Sequence, residues 1–450
     1  MSEASARARP FEITSRTVFR IAVPMTLAYA SVPLLGIVDT TVVGRLGDPL
    51  PLAGLAAGAV VFDLVFGALN FIRAGTTGFV AQAFGREDRA GEEAVFWRGA
   101  LIGLVIGLAI AFLGPLVAWL GVLGMGVSGA VADALTTYVT IRALGSPFSL
   151  VNYAVLGYVL GRGESGLALG LTTLLNGINI ALSIALGLGL GWGVAGVAWA
   201  TVIGEVIATS VGLLILWRRF SRSPERPGLR RIRDREAVAR LLGVNGDILI
   251  RSLCLIGAFA LFARFGAAAG PIVLAANALL MNLFLLAAYV LDGLATAAEQ
   301  LVGRAVGARW PPAFDRAVAL SLRWSFALTV VMFAGFMLFG PALIDLMTTA
   351  PELRDYARTF LLYAALTGPV GVLAFIMDGV FIGATWSRDM RDTMIASLAL
   401  FVALALALRV PFGNHGLWIA LLGFLAARGL FLWWRLRARR SELSAHPPPI

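Results

Sequence analysis

The sequence predicts an all-α membrane protein with twelve transmembrane helices in two pseudo-symmetric six-helix lobes. Of the 450 residues, 59% are hydrophobic and only 14% are charged, and the mean hydropathy is +0.86. Soluble domains carry about 25% charged residues, so this chain is too apolar to cover itself with a polar surface. Apolar runs long enough to span a bilayer recur from end to end, and the alternating segments of an outer-membrane barrel are missing.

The apolar runs define twelve spans, with ends fixed to within about two to four residues. The second and eighth are long enough to tilt or to extend past the bilayer. The predicted spans lie near residues 17–41, 52–82, 94–120, 132–160, 166–189, 194–217, 238–264, 271–303, 316–346, 355–383, 392–410 and 415–435.

The charge pattern predicts the orientation. All 36 basic residues are arginine, and the net charge is +10. A basic chain can bind nucleic acid, but here the charge lies in short loops between apolar spans, so we predict no nucleic-acid partner. Because arginines favour the cytoplasmic side, we expect an inner-membrane protein with both termini in the cytoplasm. The loop after span six is also suited to loose contact with lipid headgroups. The arginines cluster at four places: Arg7, Arg9, Arg16 and Arg20; Arg86, Arg89 and Arg98; nine residues between Arg218 and Arg240; and Arg435, Arg437, Arg439 and Arg440.

The two halves of the chain repeat at an offset of about 222 residues. The segment 156–161 aligns with 378–383, and Phe84-Gly85 aligns with Val306-Gly307. Six spans per half is an even number, so both lobes have the same orientation, a plan typical of alternating-access transporters. We therefore predict an N-lobe over residues 1–217, a cytoplasmic arginine-rich linker over 218–237 and a C-lobe over 238–450.

Asp39 is the most informative charge in the first span. It follows Pro33 and Gly36, and Pro33 allows the helix to bend near the acid. A charge inside the bilayer costs a few kcal/mol or more, so it needs a reason. A carboxylate removed from water can exchange a proton near neutral pH. The alternative is an acid that pairs with an arginine or caps a bent helix.

Neutral polar residues in spans five and six are candidates to surround Asp39. Asn176, Asn179 and Ser183 are spaced by three and four residues and share one helix face, while Thr201 lies in span six. Together with Asp39 they could share a proton, a water molecule or a small cation. Ordinary hydrogen bonding between membrane helices would explain the same pattern.

The second half has its own polar residues. Asp247 and Arg251 in span seven are four residues apart, so we expect them to pair within one helix. These residues could form a proton relay, or buried ion pairs that hold the lobe together. Arg73, Arg142, Glu205 and Arg428 are interpreted as pairing or snorkelling residues. The other members of the set are Asn245, Asp292, Glu299 and Asp378.

Motifs of catalysis are missing from the sequence. It has no P-loop, no HExxH, no GxSxG and one cysteine, Cys254, so neither an enzyme nor a metal site is predicted. Without an ATP-binding motif, transport must be passive or driven by an ion gradient. We expect no cofactor besides the coupling ion, H⁺ or Na⁺.

Four segments together resemble the multidrug and toxic compound extrusion (MATE) transporters, and within that family the DinF branch. The resemblance covers nearly the whole chain. It is carried by SVPLLGIVDTTVVGRLG at 31–47, NGDILIRSL at 245–253, DGLA at 292–295 and DGVFIGAT at 378–385.

The resemblance implies export of organic cations or other amphipathic compounds, coupled to H⁺ or Na⁺. In that family a first-helix Asp, a fifth-helix Asn-x-x-x-Asp pair and a sixth-helix Thr form a cation site, matched here by Asp39, Asn179 and Thr201. Ser183 stands where the family has the second Asp, so we predict proton coupling. A Na⁺-coupled exporter and a flippase for a lipid-linked precursor remain alternatives. The chain is expected to act as a monomer.

Overall fold

The computed structural model describes residues 10–445, with side chains described from Pro10 to Arg440; the arginines at 7 and 9 lie outside this range. Regular structure in the described part is entirely helical. Eleven helical stretches are long and apolar enough to cross a membrane, and the last consists of two helices joined at a kink. The predicted all-α membrane fold is confirmed.

Internal contacts divide the described chain into two units. The N-terminal unit is Leu27–Asn245, and the C-terminal unit combines the described residues up to Thr26 with those from Gly246 onward. The helix Arg235–Ala269 contributes to both units.

The helices before residue 235 include the first six predicted spans, and all but the start of the first span belong to the N-terminal unit. The first span is two helices, because the helix is interrupted at Ser31, and Pro33 lies in the first turn of the second piece. The second span is similarly divided at Asn70 and the third at Leu113. The elements are α1 Ser15–Ala30, α2 Val32–Gly44, α3 Pro49–Leu69, α4 Phe71–Gly85, α5 Arg89–Phe112, α6 Gly114–Met125, α7 Gly129–Gly161, α8 Ser165–Leu182, α9 Gly193–Ser221 and α10 Leu229–Ile232.

Between α8 and α9 the fifth span continues as a π-helical segment, Ser183–Gly189. A π-helix is rare and often marks a functional position in a helix. The segment begins at Ser183, so the change of helical pitch falls at a candidate site residue.

Five long helices follow α10; the first contributes to both units, and the other four lie in the C-terminal unit. In the last of them Gly413 adopts φ +55°, a left-handed conformation that glycine takes without a Cβ clash. This kink lies between the predicted spans 392–410 and 415–435 and separates them. The elements are α11 Arg235–Ala269, α12 Pro271–Gly307, α13 Pro311–Met347, α14 Pro351–Gly383 and α15 Ser387–Ala445.

Glycine packing shows the internal repeat in three dimensions. In the N-terminal unit, a Cβ on Gly157 or Gly161 would meet the backbone oxygens of Arg73 and Thr77 respectively. In the C-terminal unit, Gly379 and Gly383 stand in the same relation to Ala295 and Glu299. Each of the four residues of the C-terminal unit lies 222 positions after its counterpart in the N-terminal unit. The contact between α4 and α7 is therefore repeated between α12 and α14.

The core of the C-terminal unit is apolar and encloses one buried amide pair. Trp418, Phe401 and Phe424 are fully buried within it. Asn277 and Asn414 donate to each other at 2.9 and 3.0 Å, and the Trp418 indole donates to Asn277 at 2.9 Å. These bonds satisfy polar groups that would otherwise be costly in the core.

Candidate functional site

Three elements of the N-terminal unit bring the predicted polar residues together. Asp39 lies on α2, Ser183 opens the π-helical segment after Asn179, and Thr201 lies on α9. Asn179, Ser183 and Thr201 are buried, whereas Asp39 is half-buried. The carboxylate therefore lies at the accessible end of an otherwise buried polar group.

These four side chains form one chain of hydrogen bonds. The Ser183 hydroxyl donates to Asp39 Oδ1 at 2.9 Å and lies 3.5 Å from Asn179 Oδ1. The Asn179 amide donates to Thr201 Oγ1 at 2.7 Å, and that hydroxyl in turn donates to the Val197 carbonyl at 3.2 Å. The Ser183 hydroxyl has one hydrogen, so it donates either to Asp39, at the shorter distance, or to Asn179 Oδ1.

Asn176, one turn earlier on α8, bonds elsewhere. Its amide donates to Ser31 Oγ at 2.7 Å, and Ser31 donates to the Ala28 carbonyl at 2.6 Å. Asn176 thus attaches α8 to the interruption between α1 and α2, and it makes no bond to Asp39.

Two glycines allow the three elements to approach closely. A Cβ on Gly187 of the π-helical segment would lie 2.5 Å from Val42 Cγ1 on α2. A Cβ on Gly196 of α9 would lie 2.7 Å from the Gly187 backbone nitrogen. Contacts this short are possible only without side chains, so these glycines set the separation between the elements that carry Asp39, Ser183 and Thr201.

A half-buried arginine carries positive charge that acts on Asp39. Arg142 on α7 pairs with Glu205 on α9 at 3.4 Å and lies 4.5 Å above the Phe62 ring. Its guanidinium also interacts electrostatically with Asp39 and with Asp63 on α3. The predicted pairing role of Arg142 and Glu205 is confirmed.

Asp63 was missed by the sequence analysis. It lies between Phe62 and Leu64 in the second span. Because a charge inside the bilayer is costly, the argument applied to Asp39 would also have identified Asp63 as a candidate.

In the C-terminal unit, the expected pair between Asp247 and Arg251 is wrong. Asp247 accepts from the Ser387 hydroxyl and from Arg391, both at 2.7 Å, and both donors lie at the start of α15. Arg251 instead pairs with Asp378 on α14. Each side chain reaches a partner on a neighbouring helix, and these bonds link helices that an intrahelical pair would leave unconnected.

The other acids of this unit are also engaged. Arg428 is almost completely buried and pairs with Asp378 at 2.8 Å, which confirms it as a pairing residue. Asp292 interacts electrostatically with Arg428, and its carbonyl accepts from Thr296 at 2.8 Å. Glu299 is 3% exposed and has interaction partners. Asp378 is therefore held by arginines, whereas the carboxylate of Asp39 is hydrogen-bonded to a serine hydroxyl.

Comparison with known proteins decides the family. The MatE family model matches residues 24–212 and 248–408, which together make up most of the chain. The chain belongs to the MatE family. It is 35% identical to DNA damage-inducible protein F of Escherichia coli (strain K12) over 93% of this chain and 91% of that protein. It is 26% identical to the probable multidrug resistance protein NorM of Chromobacterium violaceum, over 95% of each chain.

Solved structures share the fold of this MatE family member. A multidrug resistance MATE family transporter of the MOP superfamily, solved in an outward-facing conformation, superposes with a TM-score of 0.87. The alignment covers 96% of this chain and 97% of that one at 21% identity, so it shows the fold alone. Relatives and neighbours are transporters rather than enzymes, and the chain is a multi-pass membrane transporter of the multidrug efflux family.

Proposed function

We propose that the protein exports amphipathic or cationic compounds across the cell inner membrane in exchange for protons, and that Asp39 carries the proton. The observation that carries the proposal is the single carboxylate in the hydrogen-bonded chain of Asp39, Ser183, Asn179 and Thr201. The name of the Chromobacterium violaceum relative, a probable multidrug resistance protein, supports this substrate class.

The geometry gives the proton a structural effect. Ionised Asp39 accepts a hydrogen bond from Ser183. Protonated Asp39 is itself a donor, and Ser183 can accept its hydrogen. The Ser183 hydroxyl can then donate to Asn179 Oδ1, 3.5 Å away. Protonation would thereby weaken the bond that joins α2 to the π-helical segment. A change of this kind can bias one conformation over another in an alternating-access cycle.

The same surroundings are poor for Na⁺. Binding would require removing water from the ion, a large cost that one carboxylate and a few neutral oxygens repay less well than two carboxylates. Arg142 adds a positive charge that acts on Asp39 and opposes a second cation.

A flippase is also disfavoured. It would need free positive charge beside the transport site for a pyrophosphate, but Arg142, the arginine that acts on Asp39, is paired with Glu205. We further propose that the protein works as a monomer and uses no cofactor beyond the coupling ion. The hydrogen-bonded site is formed by residues of one chain.

The ion is tested in proteoliposomes loaded with a cationic dye. A pH gradient imposed without Na⁺ should drive dye transport, and replacing Na⁺ by choline should change the rate little. Transport that requires a Na⁺ gradient and ignores a pH gradient would contradict the proposal.

A further inference from the structure

A charged cavity of about 490 Å³ lies in the N-terminal unit and shares no lining residue with the Asp39 chain. It is bounded by the start of α5, the end of α7 and the end of α9. The lining includes Arg89, Arg162, Arg218, Arg219 and Arg222, together with Glu92 and Glu93. Sequence reasoning assigned all of these arginines except Arg162 to topology, and no step of the proposed transport cycle uses the five residues.

Glutamates hold two of the five arginines in place. Arg162 pairs with Glu92, whose side chain is almost completely buried, and donates to Glu164 at 2.9 Å. Arg219 donates to both oxygens of Glu164 at 3.0 and 2.8 Å. A bidentate arginine–carboxylate pair has a fixed geometry, so this part of the wall is pre-organised.

The remaining arginines carry uncompensated charge. Arg218 and Arg222 are exposed, and neither forms an ion pair within the part of the chain that the structure describes. Arg89 acts electrostatically on Glu92, which is already paired with Arg162. Even with Glu164 counted, arginines outnumber acids here by five to three. The cavity thus carries a net positive charge that its glutamates do not balance.

Aromatic rings form the other side of the cavity. Tyr158 and Phe220 pack edge to face at 5.3 Å, and Phe220 lies 5.5 Å from Phe96. Beside them Trp97 is 39% exposed, and Trp217, next to Arg218 in sequence, is 63% exposed. Exposed tryptophans in a membrane protein mark the level of the lipid headgroups.

We propose that this cavity binds the phosphate group of an anionic phospholipid, with Arg218 and Arg222 as its principal contacts. Guanidinium groups bind phosphate oxygens through paired hydrogen bonds. The exposed rings of Trp97 and Trp217 provide a border for acyl chains, which a free phosphate ion lacks. The arginine-rich loops place the site on the cytoplasmic side under the proposed orientation, where anionic lipids meet basic residues. The proposal does not depend on the coupling ion.

The test uses the purified full chain in nanodiscs or detergent, with retention of phosphatidylglycerol measured by native mass spectrometry and its affinity by titration. The double variant Arg218→Gln/Arg222→Gln removes the two unpaired cavity arginines. The matched control is Arg226→Gln/Arg230→Gln, which removes the same charge from exposed positions outside the cavity lining. Parallel arms replace the lipid with phosphatidylcholine or with inorganic phosphate.

Wild type and control should bind phosphatidylglycerol alike, and the cavity variant should lose on the order of tenfold or more, since each basic residue near a charged surface contributes about 1 kcal/mol. Phosphatidylcholine should bind weakly to all three proteins. Equal loss in the control would show diffuse attraction and overturn the proposal. So would displacement of the lipid by millimolar inorganic phosphate, which would mean that a free anion is the ligand.

Discussion

At the scale of single residues, the partners of two intramembrane acids distinguish a coupling role from a structural one. Asp39 is a lone acid whose bonding partners are neutral, whereas Asp378 is shared by Arg251 and Arg428. The two guanidinium groups come from neighbouring helices and hold Asp378 between them, whereas Asp39 is bonded to a serine hydroxyl. This contrast is why we assign coupling to Asp39 and a structural role to Asp378.

Ser183→Asp should increase the response of transport to Na⁺, because it places a second carboxylate beside Asp39. In the wild type, the hydroxyl at this position already lies 2.9 Å from Asp39 Oδ1. Dye transport measured with and without Na⁺ at fixed pH checks this. The control is Ser183→Asn, because asparagine is as large as aspartate but carries no charge. This variant should show no Na⁺ response. A Na⁺ response in both variants would mean that size rather than charge is responsible.

Arg428→Met should lower the stability of the protein by about 3 kcal/mol, the typical loss when one partner of a buried ion pair is removed. Arg428 is 3% exposed and lies 2.8 Å from Asp378. The thermal unfolding midpoint in detergent is the measurement. Arg437→Met, at an exposed position of the same helix, should shift it little. Comparable shifts in both variants would argue against a structural role for the buried pair.

At the scale of helices, the interruptions decide where the site forms. Composition alone presents the first three spans as continuous, but the structure interrupts them at Ser31, Asn70 and Leu113. A kink at Gly413 separates the last two spans. The π-helical segment is another such feature, because it turns the end of α8 so that Ser183 faces α2.

Gly196→Ala should destabilise the protein by about 1 to 3 kcal/mol, the usual range for overpacking. Its new methyl group would lie 2.7 Å from the Gly187 backbone nitrogen, which cannot rotate away. Gly177→Ala on α8 has no atom within 4 Å of the new carbon and is the matched control. Unfolding in a denaturant series compares the two. If Gly196→Ala were as stable as Gly177→Ala, α9 and the π-helical segment could not approach each other as closely as described.

Composition and periodicity predicted the helices well, because a membrane span must be apolar over its whole length. Because a charge in the bilayer is costly, Asp39 was predicted as a site residue. Helical spacing predicted that Asn179 and Ser183 share one helix face. The partners of Asp247 and Arg251 could not be predicted, since α14 and α15 bring Asp378 and Arg391 from more than a hundred residues away. A π-helix has no sequence signature of its own.

At the scale of the whole molecule, the repeat is a property of packing as well as sequence. The glycine contacts between α4 and α7 recur between α12 and α14 at the same offset. The two halves differ in their charges, since Asp39 is hydrogen-bonded to a serine hydroxyl, whereas Asp378 is paired with two arginines. We interpret the repeat as shared architecture in which one half specialised for coupling.

Reporter fusions should place the residue 218–240 loop and both termini in the cytoplasm. The arginines of this loop and of the final segment favour that side, and twelve spans return the chain to it. Fusions after residues 126 and 191, in arginine-free connections, should report the periplasm and act as controls. A periplasmic signal from the 218–240 loop would contradict the proposed topology.

The most direct test of the account compares Asp39→Asn with the wild type in proteoliposomes under an imposed pH gradient. Asp48→Asn is the matched control, because Asp48 is exposed and caps α3 through Leu50, a role that Asn also fills. Proper folding of all three proteins is checked by thermal unfolding. We predict gradient-driven dye transport by wild type and Asp48→Asn and none by Asp39→Asn. Normal gradient-driven transport by Asp39→Asn would contradict the claim that Asp39 carries the proton.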